Sequence, residues 1–123
     1  MTGIKVRNLS DEFSWGAIVE GANWDTLADE GVRAHLNQVF EDRGFIIFTG
    51  CEPSSKMHVA VSNVFGPLKE HPTKHAPRVD GDTAPGVIDM RHDTKAPSVL
   101  IELDGKQLPS WLPWHFDHCY NDE

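Results

Sequence analysis

The strongest constraint on the fold is an amphipathic helix pattern that passes directly into an apolar strand pattern. The apolar residues spaced as one buried helix face are Val32, Leu36, Val39 and Phe40. They predict a single helix over residues 24–43, capped by Asp25 and Thr26 and ended by Gly44, which suits a left-handed cap. Residues 45–48 are short, apolar and rich in strand formers, so they predict a strand buried on both faces.

The remaining helical signals define a polar face and a second helix. The polar residues opposite the first apolar face, expected to be solvated, are Glu30, Arg33, Asn37 and Glu41. A second helix is predicted to start near Ser54 and to end at residues 66–67, where Gly and Pro follow each other. Its apolar residues at helical spacing are Met57, Ala60, Val61, Val64 and Phe65. The two helices are therefore expected to pack against a common core.

The second half of the chain predicts a long loop followed by strands. Residues 69–85 are polar and interrupted by Pro and Gly, which is typical of a surface loop. Strands are predicted over residues 86–90 and 98–103, and Asp104-Gly105 is a turn signal leading into residues 106–108. Together with the helices, these strands predict the α+β class.

Composition and charge narrow the classes of partner. The 123 residues carry a formal net charge of −8, whereas nucleic-acid binding needs an excess of Lys and Arg. No stretch has the length and hydropathy of a membrane span, and the N-terminus has no signal-peptide core. With only Cys51 and Cys119, reduced thiols are the default. We therefore expect a cytoplasmic protein that binds neither nucleic acid nor membrane, while the charge leaves an anionic small molecule open as a partner, since a local cluster can oppose the net charge.

The residues that carry chemistry lie near the end of the chain. If residues 112–117 form a strand, His115 and Asp117 point to one face, and Trp114 and Phe116 point to the other, into packing. An imidazole and a carboxylate on one face suit two corners of a metal shell, and two histidines with one carboxylate define the iron(II) oxygenase site. A single His-x-Asp pair is expected by chance in a chain with seven histidines. The pattern alone therefore leaves a surface His–carboxylate pair open.

A zinc site is the second alternative for this segment. His118 and Cys119 follow the pair directly, and zinc accepts nitrogen, sulfur and oxygen ligands. Against zinc, His118 would face away from Asp117 in a continuous strand, and structural zinc ligands usually come in two separate clusters.

Several short motifs in order resemble one family. They are residues 16–21 (GAIVEG), 44–48 (GFIIF), 65–68 (FGPL), 71–72 (HP) and 114–117 (WHFD). Their order and spacing are similar to those of the taurine dioxygenase and 2,4-dichlorophenoxyacetate dioxygenase family. The resemblance runs through most of the chain, although residues 104–113 do not follow the family pattern.

This resemblance implies a double-stranded β-helix, or jelly roll, with two packed helices. It also implies an Fe(II)-dependent dioxygenase that uses 2-oxoglutarate and O₂, releases succinate and hydroxylates a small, anionic substrate. His115 and Asp117 would be catalytic metal ligands, and His71 would contact the substrate. The family's second metal histidine and its 2-oxoglutarate arginine lie downstream of residue 123. Residues 1–123 are therefore expected to be a single incomplete domain, truncated before most of the jelly roll and inactive alone.

Two non-catalytic interpretations remain. The chain could be a truncated remnant or an interaction module, and its unpaired strand edges would then allow a homo-oligomer.

The predicted loop carries four cationic residues, which are His71, Lys74, His75 and Arg78. They could line a mouth for an anion or be merely solvated.

Overall fold

The structure, a computed structural model, describes residues 3–68, 87–88, 100–109 and 114–115. The chain divides into two compact units, Met1–Asp89 and Met90–Glu123. The elements of the first unit are β1 (Lys5–Asn8), β2 (Ala17–Glu20), α1 (Trp24–Ala28), α2 (Glu30–Arg43), β3 (Ile46–Thr49) and α3 (Ser55–Ser62). Those of the second unit are β4 (Leu100–Leu103) and β5 (Lys106–Pro109).

The first unit is built on a three-stranded sheet with β2 in the centre. β1 pairs with β2 antiparallel, and β3 pairs with β2 parallel, so the chain crosses from β2 to β3 through α1 and α2. Ala17 and Val19 on β2 are buried, whereas Ile18 and Glu20 are half-buried, as the two-residue period of a strand requires. α2 contacts β2 and β3, so the buried face of β2 is the face that meets the helices.

The core of the first unit joins the sheet to all three helices. Its buried members are Val19, Ala22, Leu27, Val32, Leu36, Met57 and Val64. Val32 and Leu36 belong to the predicted apolar face of the first helix, and Val39 on the same face is also buried. Their burial confirms that this helix packs through the face that the apolar spacing predicted.

The predicted single helix over residues 24–43 is wrong, because Asp29 divides it into α1 and α2. Asp29 has an extended backbone (φ −77°, ψ 121°), and its Oδ1 accepts a hydrogen bond from Val32 N at 2.9 Å. An aspartate that caps a new helix competes with continuation of the previous one. The predicted N-terminal cap is also wrong, since Asn23 caps α1 and Thr26 completes a capping box with it.

One aromatic and one aliphatic side chain are more exposed than predicted. Phe40 is 42% exposed and Ile47 is 40% exposed. In the sheet that the described residues form, β3 lies at an edge, and only Ile46 and Phe48 pack against the core. The prediction that this strand is buried on both faces is therefore wrong.

The second helix begins as predicted but ends earlier. Ser54 caps α3 by accepting a hydrogen bond from Met57 N at 3.1 Å. The helix ends at Ser62 rather than at residues 66–67, because the next bonds run from Val64 N to Val61 O and from Phe65 N to Ser62 O. These bonds span three residues, so the chain tightens into a 3₁₀-type turn.

The second unit contains the predicted hairpin. β4 and β5 pair antiparallel, with Leu103 opposite Lys106. Asp104 (φ 51°) and Gly105 (φ 71°) both have positive φ, which is the geometry of the tight turns that connect hairpin strands. Of the predicted strand over residues 86–90, only residues 87–88 are described, and the predicted loop over residues 69–85 lies outside the described residues. The described elements confirm a mixed α/β protein.

We expect Gly21→Ala to destabilise the first unit more than Gly44→Ala. Both glycines have φ near 80°, where an L-residue costs about 1–2 kcal/mol. A Cβ at Gly21 would also lie 2.5 Å from Gly3 O, whereas a Cβ at Gly44 would meet no atom within 4 Å. The free energy of unfolding in urea, measured for both variants, gives the comparison. An equal loss in the two variants would contradict the contact with Gly3 O.

Candidate functional site

His115 is the one predicted metal ligand among the described residues. Its side chain is exposed, and it directly follows a bend at Trp114, which is fully exposed. The prediction that residues 112–117 form a strand is wrong at these two positions, and so is the prediction that Trp114 points into packing. A bend interrupts the alternation of side chains, so a common direction for His115 and Asp117 no longer follows from the strand period.

The other predicted site residues lie outside the described residues. They are His71 and Asp117, together with His118 and Cys119 of the zinc alternative. Within the described part of the chain, no three His, Cys, Asp or Glu side chains are grouped so that they could hold a metal ion. The roles of His71, His115 and Asp117 therefore stay predictions.

The donor chemistry of the motif fits iron(II). An imidazole and a carboxylate supply one nitrogen and one oxygen, the donor types of the two-histidine, one-carboxylate oxygenase site. The side chain of His115 is exposed.

A groove in the first unit is the concave feature that sequence reasoning missed. It has a volume of about 500 Å³ and lies between the end of β3, the following loop and one face of α3. Its walls include Phe48, Cys51, Met57, Val61 and Phe65. These side chains make the groove mainly apolar.

Glu52 lies at the wall of this groove and is held by its neighbours. Side-chain hydrogen bonds from Ser54 and Trp24 lower the pKa of Glu52 below its ordinary value, and Lys56 adds a smaller effect in the same direction. Trp24 Nε1 donates to Glu52 Oε2 at 2.9 Å and so connects α1 to the loop before α3. Glu52 is thus a charged contact between these two segments.

Sequence reasoning also missed the roles of Arg33 and Asn37, which were predicted to be solvated. Both are half-buried, and they donate hydrogen bonds to the backbone carbonyls of Asn63 and Val64. The available signal was their spacing of four residues, which places them on one helix face. That spacing does not identify a backbone acceptor about 30 residues away.

Comparison with known proteins identifies the class to which this fold and motif belong. The family model described as "Taurine catabolism dioxygenase TauD, TfdA family" matches residues 5–123. None of the curated proteins compared with the chain matches it. Because the family model spans nearly the whole chain, the protein belongs to the TauD/TfdA family, which is a family of dioxygenases.

None of the helices that the structure describes has both the length and the hydropathy needed to cross a lipid bilayer.

Proposed function

We propose that this chain is the N-terminal part of an Fe(II)- and 2-oxoglutarate-dependent dioxygenase that hydroxylates a small anionic substrate. The observation that carries the proposal is the family match over residues 5–123, which includes the segment with His115 and Asp117. The implied fold is a jelly roll, and residues 1–123 would form one incomplete domain of it. The family's remaining metal histidine and its arginine would come from a longer polypeptide.

In this proposal, the chain's own residues bind and orient. His115 Nδ1 or Nε2 and one carboxylate oxygen of Asp117 would hold the iron(II) from one side. When bound, the iron would bring 2-oxoglutarate and O₂ together so that decarboxylation to succinate accompanies oxidation of the substrate. His71 would donate a hydrogen bond to the anionic group of the substrate and thereby fix which carbon faces the metal.

The test compares two polypeptides in the same assay. Residues 1–123 alone, with Fe(II), 2-oxoglutarate and O₂, are expected to form no succinate. A longer polypeptide that adds a downstream histidine and arginine is expected to form succinate, and a chelator is expected to stop it. Taurine, 2,4-dichlorophenoxyacetate and an alkyl sulfate are the first substrates to supply.

Three outcomes would count against the proposal. A longer polypeptide that binds iron but forms no succinate with or without these acids would contradict the dioxygenase function. Stoichiometric zinc that survives dialysis would favour the zinc interpretation of the segment that contains His115. Turnover by residues 1–123 alone would contradict the expectation that the metal site is completed from elsewhere.

A further inference from the structure

Two aromatic side chains are exposed in the connection between β1 and β2. Phe13 is 43% exposed and Trp15 is 49% exposed. Their rings stack on each other, with 5.0 Å between centroids and an angle of 27° between the ring planes. We call Phe13 and Trp15 the aromatic patch, because the ring contact makes their exposed apolar surface continuous. Continuous apolar surface often marks a site of interaction, whereas single exposed apolar residues are ordinary.

The aromatic patch is held in a defined position by the end of α2 and the residue that starts the way to β3. Arg43 Nη1 donates a hydrogen bond to Ser14 O at 2.7 Å, and Gly16 N donates to Arg43 O at 2.7 Å. The Trp15 ring also packs on the Phe45 ring, with 5.4 Å between centroids. A surface that is already ordered loses little conformational freedom when a partner binds, so this arrangement favours binding.

The charge around the aromatic patch is negative. The hydrogen bonds join residues 11–16 to residues 41–43, and these two segments carry four carboxylates and one guanidinium, a formal charge of −3. The four residues with carboxylates are exposed, whereas Arg43, which has the guanidinium, is half-buried. One of the carboxylates belongs to Glu12, which directly precedes Phe13. Charge complementarity therefore favours a cationic partner for this surface.

The same charge disfavours other occupants. The whole chain has a formal net charge of −8, so a second copy, a nucleic acid and an anionic membrane are all repelled. Among cationic groups, the guanidinium of arginine suits a surface that combines rings with carboxylates. It is planar, stacks on aromatic faces and binds a carboxylate through two parallel hydrogen bonds, whereas the ammonium of lysine is a compact, strongly hydrated charge. Tryptophan and arginine are also enriched among the residues that dominate the binding energy of protein interfaces.

We propose that the aromatic patch is a docking surface for a protein segment that presents exposed arginine side chains. The exposed parts of the Phe13 and Trp15 rings contact the guanidinium groups, and Glu12 forms an ion pair with one of them. This surface lies within the first unit, and its role does not depend on the proposed dioxygenase function.

The test measures binding of residues 1–123 to two fluorescein-labelled peptides of equal length. One peptide alternates arginine with glycine, and the other alternates lysine with glycine. Both have the same charge, so the general attraction of a cation to an acidic protein is common to them. Fluorescence anisotropy is expected to give a Kd at least about threefold lower for the arginine peptide, because only the guanidinium stacks well on the rings. Equal Kd values would overturn the proposal.

A substitution in the aromatic patch tests the contribution of the rings. Phe13→Leu removes one ring but keeps an apolar side chain and the net charge, and it is expected to raise the Kd for the arginine peptide about threefold. Phe40→Leu is the matched control, since Phe40 is 42% exposed and its ring packs on Phe65 instead. The control is expected to leave that Kd unchanged. The same rise in both variants would overturn the proposal.

A second pair of variants tests the contribution of charge. Glu12→Gln is expected to raise the Kd for the arginine peptide about twofold and to make it less sensitive to added NaCl. Glu30→Gln removes the same charge from the first residue of α2, at the opposite end of that helix from Arg43. An equal effect of both substitutions would show that only the net charge matters, which contradicts a site at the aromatic patch.

Other occupants of the aromatic patch would give different results. Self-association in analytical ultracentrifugation that Phe13→Leu abolishes would identify a second copy, and such binding to phosphatidylcholine vesicles would identify a lipid surface. Either result, without a preference for the arginine peptide, would overturn the proposal. Loss of this preference in the longer polypeptide would also overturn it, because the rings would then be covered by an internal contact.

Discussion

Asp117→Ala in the longer polypeptide is expected to lower succinate formation by at least about 100-fold. Asp117 would supply the single carboxylate of the iron site, so its removal takes away the only anionic protein ligand. Even the loss of a group that merely orients a metal ligand costs about 10–100-fold in metal affinity or activity. Succinate release and bound iron, measured on the same sample, would show whether turnover and metal are lost together.

Asp11→Ala is the matched control for this prediction. Asp11 is an exposed carboxylate in the segment between β1 and β2, so its removal changes the net charge equally and leaves the proposed ligands intact. We expect its turnover and iron content to stay within about twofold of the unaltered protein. Normal succinate formation by Asp117→Ala would rule out its role as a ligand.

Leu36→Ala is expected to cost about 2–5 kcal/mol of the free energy of unfolding. Leu36 is 0% exposed and belongs to the core that joins the helices to the sheet. Truncation removes buried apolar atoms and leaves a cavity that the surrounding side chains fill only in part. Urea unfolding followed by circular dichroism measures this loss for residues 1–123.

The neighbouring residue provides the control for the core prediction. His35 is exposed on the same helix, so His35→Ala is expected to change stability by less than about 0.5 kcal/mol. Equal losses in Leu36→Ala and His35→Ala would contradict a special contribution of Leu36 to core packing, because Ala has the highest helix propensity and neither change weakens the helix by itself.

Local sequence patterns correctly predicted those structural features that depend only on residues close together in the chain. The period of apolar residues correctly identified the buried Val32, Leu36 and Val39, since this period depends only on helix geometry. Gly44 ends α2 in the left-handed region, as expected of a residue without a Cβ. Asp104-Gly105 forms the hairpin turn for the same reason.

The prediction of the candidate site also has two parts, one that depends on residue type and one that depends on the backbone structure around the residues. The residue types of His115 and Asp117 are compatible with iron(II) but left a surface pair and a zinc site open, and the resemblance to the family favoured iron(II). The strand assumed around them was wrong at Trp114 and His115. Side-chain direction depends on backbone pairing with other segments, which the residues of one segment do not specify.

By itself, the sequence determined the buried positions Val32, Leu36 and Val39, the turns and the family, because each depends on residues close together in the chain or on motifs in order. Only the tertiary structure decided that Ile47 lies at a sheet edge and that Arg33 and Asn37 reach the carbonyls after α3. These outcomes depend on which segments meet. Contacts between residues about 30 positions apart are selected by the packing of the whole unit, since no local pattern records the distant acceptor.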